Sequence, residues 1–260
     1  MAPAAEDQST PAVVVERREH ALWARLARPA RGNACGPDTI AGLRAWLAEG
    51  RSPQYPGLRA LVLTGSGSSF CAGADMRVGA QYLDDPAALA RYIRAGRDLV
   101  DAIAANPLPV VAAVNGVAFA GGFELVQAAD IVIAARGARL GDAHARHGVV
   151  PGWGSSARLP RLVGPKVAAQ LLLTGTDLDA ETWHRLGLVS QVVEPDELGR
   201  AVDDVVAQLP ADAATRSRLL RLSRDNAGGS LDAALAREWQ ELNDHLNEPG
   251  FLDGVRRFLS

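Results

Sequence analysis

Residues 109–125 read Pro-Val-Val-Ala-Ala-Val-Asn-Gly-Val-Ala-Phe-Ala-Gly-Gly-Phe-Glu-Leu. The stretch Pro109–Val114 is apolar at every position and has the length of a strand covered on both faces, as in a parallel sheet flanked by helices. Asn115-Gly116 breaks it. A small-residue turn follows, then a short helix from about Gly121, then a strand at Asp130–Ala134. The glycine pair has two consequences. Without Cβ atoms the backbone can come close to a ligand. If Gly121 and Gly122 open the helix, their amides and the helix dipole favour negative charge in front of them.

A second stretch has the same construction. Leu58–Thr64 (LRALVLT) reads as a strand that runs into Gly65-Ser66-Gly67-Ser68-Ser69, and the small-residue turn Ser68–Met76 (SSFCAGADM) follows. One amide from each turn would make an oxyanion hole, in which a single donor is worth roughly 100- to 1,000-fold in rate. Taken singly, each turn also reads as a plain strand-to-helix connection. Neither is a phosphate loop: GSGSSF fails the dinucleotide fingerprint, and no GxxxxGK[ST] occurs. The GxSxG elbow of serine hydrolases is absent too.

Outward from these turns the chain alternates strand and helix. Val13–Arg18 and Ala21–Leu26 form a hairpin pattern, and residues 1–11 read as a flexible tail. Ile40, Leu43, Trp46 and Leu47 mark an amphipathic helix that starts at Pro37-Asp38 and ends near Gly50. Pro86 opens a long helix through Leu89, Ile93, Leu99, Val100 and Ile103, closed before Pro107. Beyond Gly154 the pattern is helical except for a strand at Val189–Val193. The expectation is an α/β core over residues 12–195 with a helical region over 196–260.

Composition narrows the class. The 260 residues are 48% hydrophobic and 22% charged, with 27 basic against 30 acidic side chains, which excludes a disordered acidic chain. Lys166 is the single lysine, and no basic stripe interleaves with aromatics, so nucleic acid is not an expected partner. Nothing approaches the roughly 20 apolar residues of a membrane span. The opening MAPAAEDQSTPAVVV has no basic n-region, which speaks against a secretory signal. Cys35 and Cys71 are then expected as free thiols in a reducing cytoplasm.

In order and spacing, ALVLTGSGSSFCAGADM, PVVAAVNGVAFAGGFELVQAADIVIAA, ARLGDAHARHGVVPGWGSSARLPRLVG and LLLTGTDLDAETWHRLGLVSQVV together resemble the enoyl-CoA hydratase/isomerase (crotonase) superfamily. The resemblance covers most of the chain. It implies a spiral of ββα turns, a C-terminal helical region that assembles trimers or dimers of trimers, and an acyl-CoA thioester substrate of the kind used in fatty-acid metabolism. No metal or separate cofactor is implied, since CoA is part of the substrate. By position the oxyanion amides would be those of Ala72 and Gly121. Gly73, Ala74, Asp75 and Met76 would lie along CoA with the loop Ala30-Arg31-Gly32, and Arg31 is a candidate phosphate partner or only a solvated loop arginine.

Family hydratases hold one water between two glutamates. The first matches Glu124, which could also serve as a dipole-complementing residue in the first turn of its helix. The second falls on His144, in Gly141-Asp142-Ala143-His144, and this is the main departure. An imidazole can donate at one nitrogen and accept at the other, so a Glu/His pair can run acid–base chemistry. The alternative is a loop histidine with a structural hydrogen bond. Trp153 reads either as a wall of the acyl pocket or as packing under its loop, and Cys71 as a reactive or a small buried thiol. The resemblance therefore implies hydration of a 2-enoyl-CoA by a lyase. Isomerisation, decarboxylation or thioester hydrolysis on the same oxyanion hole, or acyl-CoA binding without turnover, are the other readings that His144 leaves open.

Overall fold

The computed structural model describes residues 11–246 and, beyond them, Phe251, Gly254, Arg256 and Leu259. The expected tail, residues 1–11, lies outside the described residues apart from Pro11. Strands β1 (Val13–Arg18) and β2 (Ala21–Leu26) form the antiparallel hairpin, and α1 (Pro37–Glu49) follows. Helix α1 buries Ile40, Leu43, Trp46 and Leu47, the positions its spacing selects.

The chain then makes three passes of like construction. The first comprises β3 (Ala60–Gly65), β4 (Ser69–Cys71), α2 (Met76–Ala80) and α3 (Pro86–Ala104). The second comprises β5 (Val110–Val114), β6 (Val117–Phe119) and α4 (Gly121–Ala128). The third comprises β7 (Ile131–Ala135), β8 (Arg139–Gly141) and a 3-10 turn at His144–His147. Strands β3, β5 and β7 are parallel neighbours in a six-stranded sheet, while β4, β6 and β8 are parallel neighbours in a second, four-stranded one. Each pass thus lies against the one before, which is the spiral of ββα turns. Strand β5 is buried at all five positions, as a parallel strand covered on both faces requires.

The small-residue turns are not plain turns. Ser69–Cys71 and Val117–Phe119 are strands of the second sheet, as is Arg139–Gly141. Three residues are too few to show an alternating pattern, so their strand character comes from pairing with one another. The rest of the first unit is α5 (Ser155–Val163), α6 (Pro165–Thr174), β9 (Leu178–Asp179), α7 (Ala180–Arg185), β10 (Gln191–Val193) and α8 (Leu198–Gln208). Strand β10 extends the six-stranded sheet beside β7 and is shorter than the strand expected at Val189–Val193.

The chain divides into two compact units between Val206 and Ala207, later than the boundary expected at residue 195. The reason is α8, whose Leu198, Val202 and Val206 are buried one turn apart and tie it to the core. The second unit holds α9 (Ala213–Asp225) and α10 (Leu231–Leu246). Asp212 caps α9 by accepting from the Thr215 amide, and Glu241 of α10 pairs with Arg218 and Arg221 of α9. Along α10, Leu231, Leu235, Trp239, Leu242 and Leu246 are exposed. Among the described residues no helix is long and apolar enough to cross a membrane.

Candidate active site

Helix α4 starts at Gly121 from a strained residue: Ala120 has φ 48° and ψ −120°, in the half of backbone space that L residues avoid. The close approach there needs glycine. A Cβ on Gly122 would lie 1.9 Å from the Cys71 carbonyl oxygen. On Gly73, which has φ +107°, it would lie 3.0 Å from the Gly121 amide nitrogen. The two glycine turns of the sequence are therefore packed against each other at the N-terminus of α4.

The structure corrects one of the two expected amides. The Ala72 N–H donates to the Gly32 carbonyl at 2.8 Å and faces away from α4. Three residues on, Cys35 bridges the same segment: its N–H donates to Gly73 O (2.8 Å), and its carbonyl accepts from the Asp75 N–H (3.2 Å). In a parallel bridge of this kind the residue between, Ala74, turns its own N–H to the opposite side. Among the described residues the amides of Ala74 and Gly121 enter no backbone hydrogen bond outside the helices and sheets. The Ala72 amide that position alone selects is thus taken up by the Gly32 carbonyl. The geometry is held by Tyr92 of α3, which the sequence reading passed over: its hydroxyl donates to Cys35 O and accepts from the Asp75 N–H.

The Gly32–Ala72 bond also lays the loop Ala30-Arg31 beside the Ala72–Met76 segment. Arg31 pairs with the buried Asp75 carboxylate at 3.5 Å, and Asp75 caps α2 through the Arg77 amide. Met76 and Ala30 are exposed. Cys71 is fully buried, its sulfur 3.7 Å from that of Cys35, so it is a packed thiol rather than an accessible one.

Glu124 lies in the first turn of α4 and is 1% exposed. Its Oε1 accepts two backbone N–H groups, from Trp153 (2.8 Å) and Ser155 (2.9 Å). Its Oε2 faces His144, whose Nε2 is 3.9 Å away. At that separation the two groups are too far apart for a direct hydrogen bond. On its other side the imidazole meets Asp142, with Nδ1 3.0 Å from Oδ1. Ala143, at φ 56°, turns the chain between the two. Burial disfavours charge on all three groups. For Glu124 burial prevails over the two amides and the imidazole, and its carboxyl is raised above the usual range. For His144 the hydrogen bond and charge of Asp142, with the charge of Glu124, prevail, so the imidazole is raised. For Asp142 the contacts with His144 and Ser155 prevail, and its carboxyl is lowered.

The loop that carries the Trp153 and Ser155 amides is fixed from several directions. The Trp153 indole N–H donates to Ile93 O (2.9 Å), and its ring fills the space over Gly96 and Gly121, where a Cβ would come within 2.1 and 2.4 Å. Trp153 is thus packed under its loop and acts on the site through its backbone. Arg158 donates to Trp153 O and pairs with Asp101. Beside this loop an open groove of about 480 Å³ runs along α3, lined by Leu89, Ile93, Arg94, Arg97 and Gly152 among others. Ser155 belongs to no motif of the sequence, and Asp142 is tied to His144 by a contact that its position in the sequence does not reveal.

A spiral core of this topology defines the crotonase class of folds. The chain belongs to the enoyl-CoA hydratase/isomerase family, whose pattern matches residues 16–259. It is 34% identical over 230 residues to a crotonyl-CoA hydratase of Syntrophomonas wolfei, covering 87% of this chain and 86% of that protein. It is 29% identical over 249 residues to a short-chain-enoyl-CoA hydratase of Clostridium acetobutylicum, covering 95% and 94%. The crystal structure of an enoyl-CoA hydratase from Bacillus anthracis matches with a TM-score of 0.88 at 27% identity over 95% of each chain.

Proposed function

We propose that this protein adds water across the double bond of a 2-enoyl-CoA thioester. Family membership and the hydratases among its relatives make it a hydratase-type lyase. In this reading the amides of Ala74 and Gly121 hold the thioester oxygen and stabilise the enolate that forms when the β carbon is attacked. Glu124, as carboxylate, takes a proton from the water, and His144, as imidazolium, returns a proton to the α carbon through Nε2. Positioned groups of this kind each contribute roughly 100- to 10,000-fold. The acyl chain extends toward the groove along α3, and CoA follows Ala30, Arg31 and the Gly73–Met76 segment, with no further cofactor. The apolar stripe of α10, from Leu231 to Leu246, is the surface on which copies of the chain assemble, in the reading a homotrimer or dimer of trimers.

The observation that carries this reading is the 3.9 Å span between Glu124 and His144, each held from behind by its own partners. Isomerisation and decarboxylation need no water fixed on two sides. The test is a panel of crotonyl-CoA, longer 2-enoyl-CoAs, a 3-enoyl-CoA and a malonyl-type CoA, with products identified by mass. Formation of 3-hydroxyacyl-CoA is expected; turnover of the other substrates without hydration would reject the reading.

A further inference from the structure

We propose that Asp142 is a positioning residue that makes His144 the proton donor of the pair, so that histidine and aspartate act here as one unit. The inference rests on the hydratase reading above. Asp142 is 1% exposed and lies directly after β8, and the left-handed Ala143 brings His144 back beside it. A carboxylate can only accept, so the 3.0 Å contact assigns the shared hydrogen to Nδ1. The nitrogen that gains and loses a proton is then Nε2, the one that faces Glu124. Ser155 joins the two carboxylates: its amide donates to Glu124, its hydroxyl lies beside Asp142, and that hydroxyl accepts from Gln127 Nε2 at 3.0 Å.

Charge explains why the two residues belong together. With a cationic imidazole between them, Glu124 and Asp142 leave a cluster of net charge −1; with a glutamate at position 144 the cluster would hold three carboxylates. Buried carboxylates that close cannot all ionise, and at least one keeps a proton it should be exchanging. Arg146 in the same turn pairs with Asp177, and α6, which packs against the turn, has Lys166 as its single charged residue. Asp142 and Glu124 are the charged groups that act on the imidazole.

The test uses the full chain with Asp142→Asn, whose side-chain oxygen can still accept from Nδ1 but carries no charge. His144 is assigned among the five histidines by its loss in His144→Gln, and its titration is followed by NMR. Asp142→Asn should lower the His144 pKa by about one to two pH units, reduce kcat about 10- to 100-fold with KM within about threefold, and move the alkaline limb of the rate profile down. His144→Glu should lose at least about 100-fold, and His144→Glu with Asp142→Asn should recover at least about tenfold of that loss. A folded Asp142→Asn variant with unchanged His144 titration and kcat overturns the proposal, as does a fully active His144→Glu. If the wild type hydrates none of the substrates, the hydratase reading falls and the donor role with it. A titration that still drops in Asp142→Asn would then keep Asp142 as the residue that orients the imidazole.

Discussion

Replacement of Glu124 separates its chemical from its structural part. In Glu124→Gln the side-chain oxygen can occupy the place of Oε1 and accept the Trp153 and Ser155 amides, while the group facing His144 becomes an amide without basicity. Loss of the base should lower kcat roughly 100- to 10,000-fold, or about 2.7–5.4 kcal/mol of transition-state stabilisation. In Glu124→Ala both amides lose their acceptor inside the protein. Each unsatisfied buried N–H costs about 1–3 kcal/mol, so the loss of stability is about 2–6 kcal/mol before any water enters. For a core of this size that lowers Tm by about 2–4 °C per kcal/mol. Crotonyl-CoA hydration measures the first effect and thermal melting the second. The expected pattern is two inactive variants, of which only Glu124→Ala melts early. Glu124→Gln within threefold of wild-type kcat would refute the catalytic role, and Glu124→Ala as stable as wild type would refute the anchoring of the 153–155 loop.

Three other outcomes follow from the same geometry. The pH profile of kcat/KM should be bell-shaped: the base must be ionised, so activity appears as pH rises through the raised Glu124 value, and the acid must be protonated, so activity is lost as pH rises through the raised His144 value. A profile with no alkaline limb would contradict the donor role of the imidazole. Gly73→Ala, which forces a Cβ against the Gly121 amide at positive φ, should lower kcat by about 100-fold or more through the oxyanion donors, and an unchanged kcat would remove that segment from the site. Trp239→Arg, on the exposed stripe of α10, should shift the protein to monomer in light scattering; an unchanged mass would place the assembly surface elsewhere.

How much of this was legible depends on the range of the forces involved. Pro109–Val114 declared a buried strand because six adjacent apolar residues can be satisfied only by cover on both faces, and the spacing in α1 and α3 declared their inner sides in the same way. Glu124 and His144 stood out because residue type and position in known motifs are properties of sequence. The strands β4, β6 and β8 did not stand out, since three residues acquire strand geometry only from one another. The unit boundary was misplaced because burial of α8 depends on what it packs against.

The sequence by itself determined the α/β class, the two glycine turns and the presence of a glutamate and a histidine where an acid–base pair belongs. Only the tertiary structure decided that the amide of Ala72, and not that of Ala74, is taken up by the carbonyl of the Gly32–Cys35 segment. The choice between Ala72 and Ala74 turns on which side of one extended segment Gly32 and Cys35 occupy, and these lie some forty residues earlier in the chain. The same holds for Asp142. Its charge could be read from the sequence, but its effect on His144 arises from a 3.0 Å contact made in a buried site, where a carboxylate has little water to screen it.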